Sequence, residues 1–300
     1  MKKVDLLQYR QNMSLEDKIM LTKHKIFQFQ HKMKETIISF SGGKDSTVLL
    51  DLVRQDFPDV PAVFVDTGLE YPEIREFVKT IKNVEIIKPT MNFKEVLKKY
   101  GYPVVSKETA EKIHDIRNTK SLKLKNKRLF GNEKGNTGKI SEKWKYLINS
   151  DIKISSKCCD VMKKRPFKKV MKNYSGVYIG TMASDSNLRR TAYLRVGCLN
   201  YENGQATPLS FWTEKDIWEY IRKYNLRYSK IYDMGYKRTG CMFCLFGVHL
   251  EDYPNRFQLM EKTHPKIWKY CINNLGLGDI LKKIKVNYHY ENELFAGGKK

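Results

Sequence analysis

The sequence contains no apolar run that approaches the ~18 residues needed to cross a membrane. Its first three residues include two lysines, but Val4 to Met13 contains Asp5, Gln8 and Arg10 and lacks the apolar core of a signal peptide. We therefore expect a cytoplasmic protein without a membrane partner. The hydrophobic content of 41% is that of a globular chain, and 300 residues are enough to bury a large core.

Acidic residues are scarce relative to basic ones. The chain has 33 Asp and Glu against 56 Lys and Arg, which gives a net charge of +23. The segment from Lys107 to Lys172 holds 20 basic and 7 acidic residues, so +13 of the excess lies there and +10 in the rest of the chain. This concentration favours a polyanion, such as a nucleic acid, as partner or substrate. A solvated surface in a Lys-rich protein is the other open interpretation.

The Walker A spacing is absent, yet one stretch has the chemistry of a phosphate site. Thr36–Phe40 is typical of a buried strand, and Thr47–Val53 is apolar enough for a helix of an α/β layer. Between them, Gly42 and Gly43 precede a helix start, where backbone N–H groups can approach an anion. The same turn carries two hydroxyls, an ammonium and a carboxylate. We therefore favour a phosphate cradle over a tight turn that binds nothing.

The segment Ser41–Ser46 resembles the SGGxDS signature of the PP-loop family, which comprises ATP pyrophosphatases and sulfonucleotide reductases. The resemblance implies that the turn holds an adenine nucleotide. Its glycine backbone and ammonium would stabilise charge on the phosphates, and its hydroxyls and carboxylate would position the anion and Mg²⁺. The implied nucleotide-binding residues are Ser41, Gly42, Gly43, Lys44, Asp45 and Ser46, with Lys44 and Asp45 also in catalytic roles.

A second strand, Val60–Val65, leads into Asp66 and Gly68 at its carboxyl end. Ligands of open parallel sheets bind beyond these ends, so we expect Asp66 and Glu70 beside the cradle, with Gly68 of the same turn at the nucleotide. Asp66 would hold Mg²⁺ or a nucleotide hydroxyl, and a helix cap is the alternative. The run Val65–Gly68 resembles the VDTG segment of the phosphoadenosine phosphosulfate (PAPS) reductase branch.

A further buried run, Gly176–Gly180, is followed by carboxyl, hydroxyl and guanidinium groups. This stretch resembles the family's GxRxxES segment with its following arginine. The resemblance places Gly180, Asp185, Ser186 and Arg189 at the nucleotide, the last in a catalytic role. Met182 stands where the family has its first arginine, and Arg190 is a candidate to replace that contact.

Four of the six cysteines form a pattern: Cys158 and Cys159 are adjacent, and Cys241 and Cys244 form a CxxC pair. In a cytosolic chain such thiols are metal ligands or redox groups more often than disulfides. Four thiolates suit a [4Fe–4S] cluster or zinc, and adjacent cysteines converge on one centre only from a bent or helical backbone. The pattern resembles the cluster site of assimilatory adenylylsulfate (APS) reductases and of related DNA phosphorothioation enzymes. Zinc and unligated buried thiols remain alternatives.

The remaining cysteines, Cys198 and Cys271, are expected to be buried packing residues. Sulfonucleotide reductases carry a nucleophilic cysteine in a C-terminal ECGLH motif, and the run Asn287–Leu294 has no thiol. A reductase that uses thioredoxin would therefore lack its expected nucleophile here.

The resemblance extends from Glu35 to Phe246 and implies an α/β fold. This is a Rossmann-like fold of the adenine nucleotide alpha-hydrolase type, with a twisted, mostly parallel sheet and helices on both faces. We expect a helical arm at residues 1–34, a PP-loop domain at 35–250 with the basic insertion at about 107–172, and a helical extension at 251–300. Ser14 should cap a helix that runs to about Met33. Its packing face should contain Ile19, Leu21, Ile26, Phe27 and Phe29. Lys120–Gly138 should be a mobile loop, and the tail should fray after Leu294.

The expected function is that of a PAPS-reductase-family enzyme with an iron–sulfur cluster. It would cleave ATP between the α and β phosphates and adenylate a substrate for sulfur transfer, onto a nucleic acid or another acceptor. A sulfur donor or reductant protein is an expected partner. One alternative is an APS or PAPS reductase; the other is a nucleic-acid-binding subunit of a modification or defence complex with regulatory nucleotide binding.

Overall fold

The computed structural model describes residues 2–132 and 135–291, which form two compact units. The first unit contains the described residues of Met1–Asp66, Glu70–Lys88 and Arg165–Arg238. The second contains those of Thr67–Leu69, Pro89–Lys164 and Thr239–Lys300. Each unit therefore combines distant parts of the chain.

The first unit is built on a six-stranded sheet. Its strands are β1 (Thr36–Ser39), β2 (Ala62–Val65), β3 (Val84–Ile87), β4 (Gly176–Ile179), β5 (Leu199–Asn200) and β6 (Gln205–Ala206). They lie in the order β3-β2-β1-β4-β6-β5, and β5 with β6 is the antiparallel pair in an otherwise parallel sheet. The predicted α/β class with a mostly parallel sheet is confirmed.

Strands β1 and β4 precede two of the predicted site segments and are direct neighbours. Ser39 pairs with Ile179, so the residues that follow these two strands leave the sheet at the same edge. The register is fixed by a core of Ile37, Val63 and Val177, none more than 3% exposed. Burial of each such side chain contributes roughly 1.5–3 kcal/mol, and a slip of one residue would turn them to the other face.

Helices occur throughout the described residues. In chain order they are α1 (Lys3–Gln11), α2 (Leu15–Met33), α3 (Lys44–Asp56), α4 (Pro72–Lys79), α5 (Phe93–Tyr100), α6 (Lys107–Asn118), α7 (Leu122–Phe130), α8 (Arg165–Val170), α9 (Asn187–Val196), α10 (Glu214–Lys223), α11 (Arg256–Thr263), α12 (Pro265–Lys269) and α13 (Leu277–Lys283). Short 3₁₀ helices lie at Glu142–Asn149, Met171–Asn173, Ala183–Asp185, Lys230–Tyr232 and Val248–Leu250, and π-helical turns at Asp160–Lys164 and Tyr270–Asn274. Within residues 2–132 and 135–291, none of the helices is long and apolar enough to span a bilayer.

Helix α2 has the predicted bounds, and its packing face is the predicted one in part. Ser14 caps it by accepting a hydrogen bond from the N–H of Asp17 at 3.1 Å. Phe27, expected to be packed, is 53% exposed. The predicted Ile26 and Phe29 are buried, and Lys18 and Thr22 join them at helical spacing, which turns Phe27 outward. Because Lys18 and Thr22 are polar, a prediction based on apolar residues did not include them in the buried face.

The segment Lys120–Gly138 is not the mobile loop that its composition predicts. Helix α7 occupies much of it and begins after Ser121, whose hydroxyl accepts from the N–H of Leu124 at 3.3 Å. None of the residues of α7 is buried, and Arg128 ties the helix to Asp115 of α6 through a 2.8 Å ion pair. Lysine and leucine are good helix formers, which explains a helix without an apolar core. The fraying predicted after Leu294, and Glu133 and Lys134 of this segment, lie outside the described residues.

Candidate nucleotide site and cysteine pairs

The predicted phosphate cradle lies between β1 and α3 in the first unit. Gly42 has a φ of 71°, a left-handed value that favours glycine. A Cβ atom there would stand 2.8 Å from the Cγ2 atoms of Ile74 and Val78, so the turn has no room for a side chain. Gly43 is the N-cap of α3, which leaves the first-turn amides of this helix directed at the turn.

The two serines of the cradle brace its backbone. Their Oγ atoms are 3.0 Å apart, and the N–H of Ser41 donates to Ser46 Oγ at 3.2 Å. Ser46 Oγ donates to the carbonyl of Gly43 at 2.9 Å, and Ser41 Oγ accepts from the N–H of Gly43 at 3.3 Å. The structure thus brings Ser41, Gly42, Gly43 and Ser46 together as one turn.

Lys44 is buried rather than displayed as an open cation. It is 4% exposed, and its Nζ lies 3.1 Å from the carbonyl of Lys237 and 3.3 Å from Oε1 of Glu214. Its backbone N–H donates to the hydroxyl of Tyr232 at 2.8 Å. Sequence reasoning missed Glu214 and Tyr232, because they lie far along the chain in segments whose patterns indicate packing.

Asp45 carries an unusual carboxylate. Its Oδ1 is buried and has no hydrogen-bond partner among the described residues, since the Nζ of Lys44 at 3.6 Å is beyond hydrogen-bond length. Burial raises the pKa of this carboxyl, the charge of Lys44 lowers it, and the charges of Asp185 and Glu214 raise it further. Three carboxylates therefore act on one another beside the cradle.

The segment after β4 lies against the cradle. A Cβ atom on Gly180 would stand 3.1 Å from the carbonyl oxygen of Asp45 and from the Cα of Ser46, so the two backbones touch. Met182, which replaces the family's first arginine, is 3% exposed and packs inside the unit. The substituted position therefore offers no side chain to an anion.

Asp185, Ser186 and Arg189 form a local group at the start of α9. The carboxylate of Asp185 accepts from the N–H of Met182 at 2.9 Å and pairs with the guanidinium of Arg189. Ser186 caps α9 by accepting from the N–H of Arg189 at 3.3 Å. Arg190 is exposed beside them.

The residues after β2 are divided between the two units. Asp66 belongs to the first unit; its carboxylate pairs with Arg75 at 2.9 Å, and its N–H donates to the carbonyl of Ile87 at 2.8 Å. Gly68 belongs to the second unit and has a φ of 74°. The expected role of Asp66 at a nucleotide or Mg²⁺ stays a prediction.

All four cysteines of the predicted metal site belong to the second unit. Cys158 and Cys159 are helical, directly before the π-helical turn at Asp160–Lys164, as convergence of adjacent thiols requires. The CxxC pair forms a turn in which the N–H of Cys244 donates to the carbonyl of Cys241 at 3.0 Å. None of the six cysteines, all within the described residues, forms a disulfide.

These thiols lie close enough to influence one another. Burial raises the pKa of Cys158, and the charges of Cys241, Cys159 and Cys244 raise it further, while Lys163 lowers it. Burial also raises the pKa of Cys244, which the charge of Arg256 lowers. Over residues 2–132 and 135–291, however, no three His, Cys, Asp or Glu side chains are gathered tightly enough to hold a metal ion.

The two remaining cysteines are buried, as predicted. Cys198 is 6% exposed and Cys271 is fully buried. Burial raises the pKa of Cys198 to about 11 and that of Cys271 to about 12. Neither thiol has the lowered pKa and the access of a nucleophile.

Comparison with known proteins identifies relatives over most of the chain. The model of the phosphoadenosine phosphosulfate reductase domain matches residues 35–129 and 107–245. An adenosine 5'-phosphosulfate reductase of Anoxybacillus flavithermus is 27% identical over 225 residues, which cover 75% of this chain and 78% of the relative. Adenosine 5'-phosphosulfate reductase 2 of Bacillus subtilis is 25% identical over a region that covers 70% of this chain and 72% of the relative.

A solved structure is also similar. The PAPS reductase of Candida auris aligns with 80% of this chain and 93% of its own, at 15% identity and a TM-score of 0.40. The family assignment follows from the domain match, which spans more than half of the chain and agrees with the motifs. The chain belongs to the phosphoadenosine phosphosulfate reductase domain family.

Proposed function

We propose that this nucleotide-binding enzyme of the PAPS reductase family takes ATP together with Mg²⁺. The observation that carries the proposal is the buried Oδ1 of Asp45, which lacks a hydrogen-bond partner among the described residues. Asp185 and Glu214 add negative charge next to it. A polyphosphate would be repelled by these carboxylates unless it brought a cation. Mg²⁺ is usually held by one or two carboxylates together with substrate phosphates, so a preformed cage of protein ligands is not required.

The reaction would be cleavage between the α and β phosphates. An acceptor oxygen would attack the α phosphorus, the bond to the bridging oxygen would break, and pyrophosphate would leave with the bonding electrons. The first-turn amides of α3 are held in place by the helix, so they would stabilise the developing charge once the nucleotide is bound. Mg²⁺ would supply neutralisation of the phosphates. Arg189 would contact the leaving pyrophosphate, for which it must exchange its ion pair with Asp185.

The four motif cysteines would hold a [4Fe–4S] cluster. The helical backbone at Cys158 and Cys159 and the turn at Cys241 and Cys244 provide four sulfur donors within one unit, and thiolate sulfur is the usual ligand of such clusters. Burial raises the pKa of Cys158 and Cys244, and the charges of Lys163 and Arg256 offset part of this rise. Because metal binds the thiolate, these two cations would assist its formation. A cluster would supply electron transfer or sulfur activation. Zinc suits the same donors and is the alternative metal.

A nucleic acid is the acceptor that the surface chemistry favours. Only thirteen of the 56 basic residues are arginine, yet all three basic residues of α9, Arg189, Arg190 and Arg195, are arginines, and all three are exposed. A Lys-rich composition does not explain a helix with three arginines and no lysine. Guanidinium groups bind phosphates in bidentate fashion, and α9 follows β4 at the edge of the sheet that carries the cradle.

The second candidate is an APS or PAPS reductase with a thioredoxin-like reductant, which the names of the relatives favour. Such a reaction needs a nucleophilic thiol outside the four motif cysteines. Cys198 and Cys271 are buried with raised pKa values, which argues against this candidate. A nucleic-acid-binding subunit with regulatory nucleotide binding would share the cradle and α9 but release no pyrophosphate.

One experiment separates these functions. Protein purified without oxygen is incubated with ATP, adenylylsulfate or its 3′-phosphate, with and without Mg²⁺, oligonucleotides and a thiol reductant. Release of pyrophosphate from ATP that depends on Mg²⁺ is the expected result. Release of sulfite from a sulfonucleotide would instead identify the reductase. Binding of ATP without either product would point to the regulatory subunit.

A further inference from the structure

A tyrosine from a distant segment of the first unit contacts the backbone of the cradle. Tyr232 ends the 3₁₀ helix Lys230–Tyr232, and its hydroxyl oxygen accepts a 2.8 Å hydrogen bond from the N–H of Lys44, the first residue of α3. First-turn amides have no acceptor in their own helix and are the groups that bind phosphate. The hydroxyl of Tyr232 therefore stands where an oxygen of a bound phosphate would accept the same hydrogen bond.

The side chain of Lys44 is also contacted by residues from this distant part of the chain. Its Nζ lies 5.4 Å from the centre of the Tyr232 ring, 3.1 Å from the carbonyl of Lys237 and 3.3 Å from Glu214. With 4% of its surface exposed, Lys44 has no open face for an incoming anion. Both groups with which Lys44 could hold a phosphate are thus satisfied by residues 214–237.

We infer that Tyr232 competes with the nucleotide for the cradle and is displaced when a phosphate oxygen replaces its hydroxyl. This inference rests on the proposed binding of a nucleotide at the cradle. A hydrogen bond to a charged phosphate is roughly twice as strong as one to a neutral hydroxyl, so the exchange is favourable once the nucleotide is present. In its absence, the hydroxyl keeps the amide of Lys44 paired. Tyr232 thereby selects for ligands whose phosphates are strong acceptors.

A neighbouring tyrosine provides a matched control. Tyr228 and Tyr232 both pack edge-on against Trp218, each with ring centroids 5.4 Å from the indole. The hydroxyl of Tyr228, however, donates to Asp233 Oδ1 at 2.9 Å. Removal of either hydroxyl changes the same aromatic group, but only the hydroxyl of Tyr232 bonds the amide of Lys44.

The test compares the affinity of wild type, Tyr232→Phe and Tyr228→Phe for ATP with Mg²⁺ by isothermal titration calorimetry. Loss of one competing neutral hydrogen bond should tighten binding to Tyr232→Phe by about three- to tenfold, whereas Tyr228→Phe should stay within about twofold of wild type. Unchanged or weaker binding by Tyr232→Phe, with thermal unfolding like that of wild type, would overturn the inference. If wild type bound no nucleotide, the proposed function itself would fail.

Hydrogen–deuterium exchange gives a second, independent measurement on wild type alone. ATP should slow amide exchange in residues 41–47, because phosphate pairs the cradle amides. It should speed exchange in residues 228–238, because release of Tyr232 loosens this segment. A merely structural role for Tyr232 predicts slower or equal exchange in both segments, and that outcome would contradict displacement even if Tyr232→Phe could not be folded.

Discussion

The guanidinium of Arg256 donates a hydrogen bond to the backbone carbonyl of Cys244 at 3.1 Å, and its charge lowers the pKa of that thiol against the effect of burial. Arg256 is itself anchored on Glu251, whose Oε1 accepts from Nε at 2.8 Å. The CxxC turn is therefore held by a cation that acts on both its geometry and its ionisation.

Substitution Arg256→Gln should raise the pKa of Cys244 and slow its alkylation. The thiolate is the reactive form, and at pH 8 a higher pKa leaves less of it. We expect the rate with iodoacetamide in metal-free protein to fall about three- to tenfold, because a tenfold change in thiolate corresponds to about one pKa unit. Peptide mass spectrometry reports the rate for Cys244 itself. Arg256→Lys keeps the charge and should react almost as wild type; equal slowing in both variants would show that charge is not the cause.

Protein prepared without oxygen should contain about four irons and four acid-labile sulfides per chain. Each of Cys158→Ser, Cys159→Ser, Cys241→Ser and Cys244→Ser should lower the iron content, because each removes one sulfur donor. Cys198→Ser and Cys271→Ser are the controls, because both thiols are buried in packing positions. These two variants should keep the iron content of wild type. Iron, sulfide and zinc are measured together. Stoichiometric zinc without iron would show that the four cysteines bind zinc and would contradict the cluster.

Substitution Asp45→Asn should remove the Mg²⁺ dependence of ATP binding. The lost charge–metal contact should weaken binding about tenfold or more when Mg²⁺ is present and have a small effect without it. Because burial raises the pKa of Asp45, wild type should lose this Mg²⁺-dependent affinity as the pH falls, at a higher pH than an ordinary aspartate would. Titrations between pH 5 and pH 8 test the sign. Asp56→Asn, at the exposed end of α3, is the control, and a similar loss there would contradict the assignment.

The buried ion pair of Lys18 and Asp216 joins α2 to α10 at 2.7 Å. Lys18→Met leaves the carboxylate of Asp216 buried without its cation, so we expect a loss of about 3–5 kcal/mol in the free energy of unfolding. The matched control is Lys23→Met, whose pair with Asp56 is partly exposed and should change stability by about 1 kcal/mol or less. Urea titrations measure both. Equal effects in the two variants would contradict a large contribution from the buried charge pair.

If the basic segment from Lys107 to Lys172 binds a polyanion, the exposed lysines of α7 should contact the phosphates of a nucleic acid. The test variant carries Lys123→Gln, Lys125→Gln and Lys127→Gln, and leaves Arg128 in its ion pair with Asp115. Each lost phosphate contact should flatten the slope of log affinity against log salt by ~0.7 on a single strand. Anisotropy titrations with a labelled oligonucleotide at several salt concentrations measure it. The control replaces Lys79, Lys82 and Lys88, exposed lysines of the first unit, by glutamine. Equal slopes for both triple variants, or no binding at low salt, would remove the hypothesis.

Strands β1, β2 and β4 and the cradle could be predicted because their signals are local, whereas the two-residue strands β5 and β6 were not predicted. The β-branched run at Thr36–Ser39 and the glycines before Lys44 are adjacent in sequence, and the structure forms a strand and a turn from them. The helical backbone at Cys158 and Cys159 likewise follows from a local rule about adjacent side chains.

The environment of Lys44 could not be predicted from the sequence. Its partners Glu214, Tyr232 and Lys237 lie about 170 to 190 residues away, and no periodicity connects them to the cradle. The exposure of Phe27 has a similar cause. The face that α2 buries depends on its contacts with Asp216 and Tyr178, which lie in distant parts of the chain. Sequence patterns show which groups can do chemistry, whereas pairing partners depend on tertiary contacts.

The packing of α2 on β4 decides where the protein can be shortened. A Cβ atom on Gly176 would stand 2.8 Å from the ring of Phe29, so the helix rests directly on the backbone of the strand whose end carries Gly180. A chain cut before Glu35, where the family match begins, would bare this backbone and leave Asp216 without Lys18. Such a fragment should aggregate or fail to express, and recombinant work on the first unit needs the first 34 residues in place.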